Sequence, residues 1–481
     1  MNNMRKMGFD PFEGGLEDDK LKEECGVIGL YINDPERIAY MACYGLIALQ
    51  HRGQESAGIA VKNEHGVKYY KDMGLVQEVF NDEKLNQLKG NMAIGHVRYS
   101  TTGDSHVSNA QPLVVQYRGG AIALAHNGNL VNANVIRDEL EDGGAIFQTS
   151  IDSEAIAALI AKNYKDGLEL SLIRSLKKLK GSFALVILSE DKLIGVRDAY
   201  GLRPLCLGRL DGGYVLASET CALDVLGATF ERDIEPGEIV IIDETGVNSL
   251  KFTEPQRKAV CSFEYVYFAR PDSNIDGVNV YLTRKNAGRI LAQEHPAEAD
   301  MVMAVPDSGI AGAIGFSEES GIPMGIGLIK NKYMGRTFIQ PDQKLRELSV
   351  GLKLNVLKEN VVGKRVVLVD DSIVRGTTSK KIVEMLLKAG AKEVHMRITS
   401  PPVCHSCYFG IDTGTQSQLI GSVLSVEEIN QSIGSNSLGY ISNKGLVESI
   451  GCSKNQLCTA CFDGDYPMDV PKSANKFLFE K

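Results

Sequence analysis

The chain has 481 residues, of which 43% are hydrophobic and 23% are charged, and its formal net charge at pH 7 is −9. This composition excludes a disordered or fibrous protein, and the acidic balance lacks the basic face of a general nucleic-acid binder. The length suggests roughly two to four domains, and no apolar run is long enough to span a membrane, so we expect a cytoplasmic protein with no nucleic-acid or membrane partner.

The first cysteine follows a charged leader. Residues 1–24 contain seven acidic and four basic side chains and no apolar stretch, so they are not a signal peptide. Cys25 then opens the apolar run CGVIGLYI, where an internal cysteine is by default a small buried hydrophobe. The alternative is that cleavage after Glu24 leaves Cys25 at the N-terminus, where it acts as a nucleophile. Its own α-amino group, with a pKa of about 7.7–8.0, can then take the thiol proton.

The region after Cys25 is rich in short strands. Apolar, partly alternating runs bounded by Gly, Asn or Asp continue to about residue 243, with helices predicted around 154–164 and 168–180. This density of strands predicts a layered α/β/β/α or α+β domain. A polar, turn-rich stretch at 244–258 then predicts a boundary. We therefore expect a leader over 1–24, a first domain over 25–255 and a second over 256–481.

The second domain has a different pattern of apolar and polar residues. Short continuous apolar runs each end in a polar turn, and the last two flank a segment with Ile382, Met385, Leu386 and Ala389 at helical spacing. This pattern predicts a βαβ crossover in a parallel sheet that is buried on both faces. The predicted strands are MVMAVPDSG, GIPMGIGLI, RVVLVDDS and EVHMRITS.

One of these strands leads into a candidate anion site. In VVLVDDSIVRGTTS, residues 366–379, a buried strand ends at Asp370 and Asp371, and Gly376 with the following hydroxyl side chains opens a helix. Free N–H groups and the helix dipole attract an anion there. An ordinary helix cap is the alternative, but it does not explain two acids, which suit ribose hydroxyls or a divalent metal ion.

This stretch resembles the phosphoribosyl pyrophosphate (PRPP) motif of type I phosphoribosyltransferases. The resemblance implies that the acidic pair contacts the ribose and Mg²⁺, with Ser308 also on Mg²⁺, and that the hydroxyl-rich loop holds the 5′-phosphate. VPDSG at 305–309, which alone is typical of an ordinary turn, then resembles the pyrophosphate loop. KNKYMGRTFIQP at 330–341, which alone suggests a solvated loop, resembles the flexible catalytic loop. The resemblance implies that Lys330, Lys332 and Arg336 there neutralise the pyrophosphate oxygens as that group leaves. The implied PRPP-binding residues are Asp307, Ser308, Lys330, Arg336, Asp370, Asp371, Ser372, Gly376, Thr377, Thr378 and Ser379.

The first domain carries a second resemblance. CGVIG is followed in order by YGLIALQHRGQESAGI, GHVRYSTTG, AHNGNL and SIDSE, and together these segments resemble the class II, N-terminal-nucleophile glutamine amidotransferases. The resemblance implies an αββα fold in which Cys25 attacks the glutamine side-chain amide. It further implies an oxyanion hole formed by Asn127 and Gly128, an α-carboxylate site at Arg98 and an α-amine site at Asp152. His126 precedes the hole and is either a support for it or structural.

A glutaminase joined to a PRPP site resembles the glutamine phosphoribosylpyrophosphate amidotransferases. This family makes 5-phosphoribosylamine from L-glutamine and PRPP in the first committed step of purine synthesis. The resemblance also implies a homotetramer and feedback inhibition by purine nucleotides. Two alternatives stay open: a glutaminase that serves another acceptor, as in glucosamine-6-phosphate or asparagine synthases, and a PRPP-sensing regulator, although the chain has no winged-helix segment.

The ten cysteines suggest a metal site. Spacing alone groups Cys404 and Cys407 with Cys458 and Cys461, and four thiolates suit either zinc or iron–sulfur. The resemblance implies a different set, in which Cys261, Cys407, Cys458 and Cys461 hold a [4Fe–4S] cluster. It also implies that residues 1–24 are a propeptide.

Overall fold

The computed structural model describes residues 25–99, 105–254, 256–332, 354–413 and 415–471. The predicted propeptide and Arg336 lie outside these residues. No helix in the described part of the chain is long and apolar enough to cross a bilayer. The predicted domain boundary at residue 255 stays a prediction.

The first half of the described chain forms two antiparallel sheets. Its strands are β1 (Gly26–Ile32), β2 (Ser56–Asn63), β3 (Gly66–Met73), β4 (Met92–Arg98), β5 (Leu113–Tyr117), β6 (Gly120–Leu130), β7 (Gly181–Leu188), β8 (Leu193–Arg197), β9 (Cys206–Leu210), β10 (Gly213–Ala217), β11 (Thr229–Asp233), β12 (Glu238–Asp243) and β13 (Gly246–Lys251). One sheet has the order β11-β9-β10-β1-β4-β2-β3, and the other has the order β13-β12-β8-β7-β6-β5.

Helices cover the outer face of each sheet. They are α1 (Ile38–Ala48), α2 (Val76–Val79), α3 (Asp82–Asn86), α4 (Ala133–Asp142), α5 (Asp152–Asn163), α6 (Leu168–Leu176) and α7 (Thr220–Leu226), with a 3₁₀ turn at Val107–Asn109. Along β1, Val27 packs between the two sheets, whereas Ile28 and Leu30 pack under α1. Ile156 of α5 and Leu172 of α6 cover the second sheet. Because both faces of β1 are buried, its sequence is continuously apolar. The predicted αββα layering is confirmed.

The second half is built around a parallel sheet. Its strands are β14 (Val260–Cys261), β15 (Asn274–Ile275), β16 (Val278–Asn279), β17 (Met301–Ala304), β18 (Leu328–Lys330), β19 (Leu354–Val356), β20 (Arg365–Asp370), β21 (Glu393–Ile398), β22 (Ser437–Tyr440) and β23 (Leu457–Cys458). Its helices are α8 (Val280–Glu294), α9 (Ile310–Ser320), α10 (Lys358–Val361), α11 (Thr377–Lys388), α12 (Ile420–Val423), α13 (Val426–Ile433), α14 (Asn443–Ile450) and α15 (Ala460–Asp463), with a π-helical turn at Glu264–Phe268 and 3₁₀ turns at Gln416–Gln418 and Lys454–Gln456.

The parallel sheet has the order β17-β20-β21-β22 and helices on both faces. In β20, Val366 and Leu368 pack with the α11 side of the sheet, and Val367 and Val369 pack with α8 and α9. All four side chains are buried, so this strand too is apolar without alternation. The predicted β20–α11–β21 crossover is confirmed.

The predicted strand GIPMGIGLI is largely wrong. Only Leu328–Lys330 forms a strand, and it pairs antiparallel with β19 rather than joining the parallel sheet. Upstream, Met324 makes a single bridge to β17, and Gly325 and Gly327 lie so close to the side chains of Met301 and Met303 that a Cβ would collide with them. The apolar character of this segment thus reflects packing across β17, and β22 supplies the fourth strand instead.

Candidate functional site

The Cys25 thiol is buried at the beginning of β1. Its Sγ donates to the Tyr99 carbonyl oxygen at 3.4 Å, and its own carbonyl oxygen accepts from Arg52 Nε at 3.2 Å. Burial raises the pKa of the thiol to about 11, although the nearby Arg98 guanidinium acts in the opposite direction. In the uncleaved chain this thiol is therefore almost entirely protonated at neutral pH and needs a base to act as a nucleophile.

The predicted oxyanion-hole residues lie near the end of β6. Asn127 is fully buried, and neither its Nδ2 nor its Oδ1 has a hydrogen-bond partner among the described residues. Gly128 has φ +144°, and a Cβ there would collide with the Ser182 carbonyl oxygen, so only glycine fits. A buried amide without a partner is costly, and such groups occur where a ligand completes the hydrogen bonds.

The two predicted glutamine-binding side chains are also buried. Arg98 ends β4 and lies 3.9 Å from the Glu55 carboxylate, and Asp152 opens α5. The Asp152 carboxylate accepts from the Leu130 N–H at 3.0 Å and lies 3.4 Å from His126 Nδ1. Burial opposes ionisation of Asp152, but the His126 ring and the backbone N–H groups hold its pKa below the usual range. The site thus offers a cationic group and an anionic group, as an amino acid requires.

Two histidines support this pocket. The His126 carbonyl oxygen contacts His96 Nε2 at 3.0 Å, and the His126 ring contacts the Ser153 hydroxyl at 3.2 Å. Burial lowers the pKa of His96 to about 3, so its ring is neutral. His126, which directly precedes Asn127 on β6, therefore also contacts His96 and Asp152, and this favours the supporting role over an unrelated structural one.

The acidic pair and the hydroxyl-rich loop meet at the carboxyl end of the parallel sheet. Asp370 and Asp371 are both almost completely buried, and Ser308, which follows the neighbouring β17, places its Oγ 3.5 Å from Asp370 Oδ1. Ser372 Oγ donates to Asp371 Oδ2 at 2.6 Å. Carboxylate and hydroxyl oxygens from adjacent strand ends thus converge, as a hard divalent cation requires.

The anion loop opens α11. Gly376 has φ +84°, in the left-handed region, and Thr377, Thr378 and Ser379 form the first turn with buried side chains. Thr377 Oγ1 has no partner among the described residues. A buried hydroxyl thus lies at the N-terminus of a helix, where the backbone N–H groups and the helix dipole suit a phosphate.

The predicted pyrophosphate-binding residues are only partly described. Lys330, at the end of β18, pairs with Asp307 at 2.8 Å across the mouth of the site, and both side chains are exposed. Lys332 is also exposed. A lysine held by one carboxylate at the surface can move to a phosphate oxygen without a large energy cost.

Four cysteines from three segments line one cavity. Cys261 and Cys458 are register partners in the parallel pair β14–β23, Cys461 lies in α15, and Cys407 lies in the loop after β21. Burial raises the pKa of Cys458 to about 12, and burial together with the neighbouring thiols raises the pKa of Cys461 well above its ordinary value. Among the described residues no three His, Cys, Asp or Glu side chains form a site for a single metal ion. The four thiols lie around a space instead.

Cys404 does not line this cavity. Its Sγ donates to the Gly421 carbonyl oxygen at 3.1 Å and to that of Pro402 at 3.5 Å. The set that spacing alone suggests is therefore not the set that the fold brings together. The chain distance between β14 and β23 hides this pairing from any spacing rule.

Sequence reasoning also missed Arg52. Its guanidinium is buried and contacts the carboxylates of Glu219 and Glu264 as well as the Cys25 carbonyl. Arg52 lies in the quoted segment YGLIALQHRGQESAGI, so the available signal was a basic residue within a segment that the resemblance had already singled out.

Comparison with known proteins gives two family matches. Residues 96–225 match the glutamine amidotransferase domain, and residues 281–399 match the phosphoribosyl transferase domain. The amidophosphoribosyltransferase of Archaeoglobus fulgidus is 53% identical over 453 residues, which cover 93% of this chain and 98% of the relative. That of Bacillus subtilis is 50% identical over 455 residues, covering 94% and 95%.

Solved structures agree with the sequence matches. The glutamine PRPP amidotransferase of B. subtilis, complexed with ADP and GMP, superposes with a TM-score of 0.89 at 50% identity, covering 94% of this chain and 99% of that one. A structure described as the allosteric regulatory enzyme of purine biosynthesis has the same TM-score of 0.89 at 50% identity and covers 93% of this chain and 97% of its own.

Proposed function

The chain belongs to the amidophosphoribosyltransferase family, and we propose that it transfers the amide nitrogen of glutamine to PRPP. The products are 5-phosphoribosylamine, pyrophosphate and glutamate, and the reaction is the first step of purine biosynthesis. The observation that carries this proposal is that the first half of the chain holds a buried thiol and an unpartnered buried amide, and the second half an acidic pair next to a hydroxyl-rich helix start.

In the first half-reaction Cys25 Sγ attacks the glutamine side-chain carbonyl. After cleavage behind Glu24, the α-amino group takes the thiol proton and later passes it to the leaving ammonia. Asn127 Nδ2 and the Gly128 N–H donate to the oxyanion, while Arg98 and Asp152 bind the α-carboxylate and α-amine. Water then hydrolyses the thioester and releases glutamate.

In the second half-reaction ammonia attacks C1 of PRPP, and pyrophosphate leaves. Asp370 and Asp371 hold the ribose hydroxyls, and the loop from Ser372 through Gly376 to Ser379 binds the 5′-phosphate. Asp307, Lys330 and Arg336 bind the pyrophosphate. Ammonia in water near pH 7 is mostly protonated and is then no nucleophile. A shielded path within one chain keeps it neutral, which is the physical reason for carrying both activities together.

The donor sets fit two inorganic groups. Asp370, Asp371 and Ser308 offer the oxygen ligands that Mg²⁺ prefers, and the ion neutralises pyrophosphate charge when it is bound. Cys261, Cys407, Cys458 and Cys461 surround a cavity, which suits a [4Fe–4S] cluster better than a single zinc ion, because a cluster needs space between its thiolates. The reaction has no redox step, so we assign the cluster a structural or oxygen-sensing role.

Regulation follows from the relatives. Because the B. subtilis enzyme was solved with ADP and GMP, we propose purine nucleotides as inhibitors of this chain. The homotetramer and the cleavage of residues 1–24 are proposed on the same family grounds.

One variant tests the proposed reaction. Cys25→Ser should lose glutamine-dependent formation of phosphoribosylamine from PRPP and Mg²⁺ but keep formation from ammonium salts, whereas the wild type uses both. A correctly folded variant that fails with ammonium, or that still consumes glutamine at the native rate, would contradict the proposal. A wild type that makes no phosphoribosylamine would favour another acceptor or a sensor.

Mass spectrometry of the active enzyme should show loss of 24 residues. A fully active chain that retains Met1 would contradict the proposal that the α-amino group of Cys25 is the base.

A further inference from the structure

The oxyanion-hole strand touches a segment of the second half of the chain. Residues 408–410, which follow the cavity-lining Cys407, lie against the end of β6. Asn129 Nδ2 donates to the Tyr408 carbonyl oxygen at 2.9 Å. A Cβ on Gly410, whose φ is +107°, would lie 3.3 Å from the Gly128 carbonyl carbon. The two backbones thus lie so close that a side chain at position 410 would crowd Gly128.

A buried hydroxyl joins the two segments. Ser182 is the register partner of Asn129 on β7. Its Oγ accepts from the Asn129 N–H at 3.2 Å and donates to the Phe409 carbonyl oxygen at 2.7 Å. The Ser182 carbonyl oxygen also packs under Gly128, where it excludes a side chain. The peptide that follows the oxyanion-hole N–H is therefore held through Ser182 by the second half of the chain.

The Phe409 carbonyl oxygen is also connected to Cys25 through buried side chains. Phe409 O also accepts from Arg203 Nε at 3.0 Å, and Arg203 Nη1 lies 3.6 Å from the Glu264 carboxylate. Glu264 accepts from both Arg52 Nη atoms, at 3.0 and 2.6 Å, and Arg52 Nε donates to the Cys25 carbonyl oxygen. All five residues are buried. Burial opposes ionisation of Glu264, yet the two guanidinium groups hold its pKa below the usual range.

We propose that Glu264 and the Phe409 carbonyl, both from the second half of the chain, hold the nucleophile and the oxyanion hole of the glutaminase in mutual position. Ser182 and Arg203 are positioning residues in this network, and none of them touches the substrate. The inference rests on the proposed glutaminase function of Cys25 and Asn127.

The physical reason is the precision that acyl transfer requires. A displacement of about 1 Å at a reacting group can lower a rate by about a hundredfold. Buried hydrogen bonds and ion pairs, such as the 3.6 Å pair of Arg203 with Glu264, are strong and keep their geometry, whereas an exposed loop contact does not. The glutaminase half is thus incomplete until the second half has folded against it.

Ser182→Ala in the cleaved, metal-loaded enzyme, which retains both halves of the chain, tests this network, with Ser171→Ala as a matched control. Ser171 is equally buried in the first half of the chain, and its hydroxyl likewise donates to a backbone carbonyl, that of Ile160, at 2.6 Å. For Ser182→Ala we expect kcat for glutamine hydrolysis to fall at least about tenfold, while KM for glutamine changes less than about twofold. Amination of PRPP by ammonium and alkylation of Cys25 by iodoacetamide, which needs no oxyanion hole, should match the wild type, and Ser171→Ala should match it in every assay.

Other outcomes overturn the inference. An unchanged kcat, a raised KM at constant kcat, or equal losses of the glutamine and ammonium activities would each show that Ser182 does not position the oxyanion hole. The ammonium activity of the same sample reports correct folding, so a misfolded variant is recognised. If the wild type itself hydrolyses no glutamine, the proposed function fails, and that result is distinct from a failure of the network.

Discussion

The unpartnered amide of Asn127 allows activity and stability to be separated in one variant. Both polar atoms of this fully buried side chain lack a partner among the described residues. Leaving an amide buried in this way costs about 1–3 kcal/mol, and a leucine of similar shape removes that cost. We therefore expect Asn127→Leu to stabilise the ligand-free enzyme by about 1–3 kcal/mol. At about 2–4 °C per kcal/mol for a domain of this size, the unfolding midpoint should rise by roughly 2–12 °C.

The same change should destroy glutaminase activity. Loss of one oxyanion donor lowers kcat by about 10²–10³, which corresponds to about 2.7–4 kcal/mol of transition-state stabilisation. Thermal unfolding without ligands and glutamine hydrolysis therefore move in opposite directions, while amination by ammonium stays unchanged.

Asn109→Leu is the matched control for stability. Asn109 is also buried, but its Nδ2 donates to Ser150 Oγ at 2.9 Å and its Oδ1 accepts from the Ser150 N–H at 3.2 Å. Because those bonds are lost, Asn109→Leu should lower the unfolding midpoint. If Asn127→Leu lowered it as well, or kept native glutamine hydrolysis, the reasoning about the empty amide would be refuted.

Three further predictions concern the nucleophile, the ribose site and the cysteines. With a pKa of about 11, Cys25 in the uncleaved chain is about one part in a thousand thiolate at pH 8. Its alkylation rate should therefore rise about tenfold per pH unit toward pH 11. An alkylation rate that reaches a plateau near pH 8 would contradict this prediction. Asp370→Asn should raise both KM for PRPP and the Mg²⁺ requirement at least about tenfold, since it removes a proposed ligand, whereas Asp300→Asn, at the opposite end of the sheet, should change neither; equal effects would disprove the assignment. Cys458→Ser should lower the iron and sulfide content of the enzyme. Cys404→Ser should leave that content at the wild-type level, because the Cys404 thiol bonds to backbone carbonyls. Loss of iron in both variants would show that Cys404 is a ligand as well.

Features that depend on neighbours in the chain were predictable. The strand, acidic pair and helix start at 366–379 form one continuous stretch, so the sequence already showed which groups meet. The density of short apolar runs likewise predicted the layered sheets of the first half. The fold class and the position of the predicted anion loop thus follow from the sequence. The strand predicted at 321–329 was largely wrong, because an apolar segment that packs across a strand has the same hydrophobic pattern as a strand.

Contacts between distant segments were not predictable, because hydrophobic periodicity states that a face is buried but not which partner buries it. The amino acids alone predicted a nucleophile, an oxyanion pair and a ribose site, each from a short motif. Only the tertiary structure placed Cys261 opposite Cys458 and turned Cys404 away. It also brought Phe409 onto Ser182, 227 residues earlier in the chain. Close packing made those choices, since each needs complementary shape and hydrogen bonding from surfaces that exist only after both halves have folded.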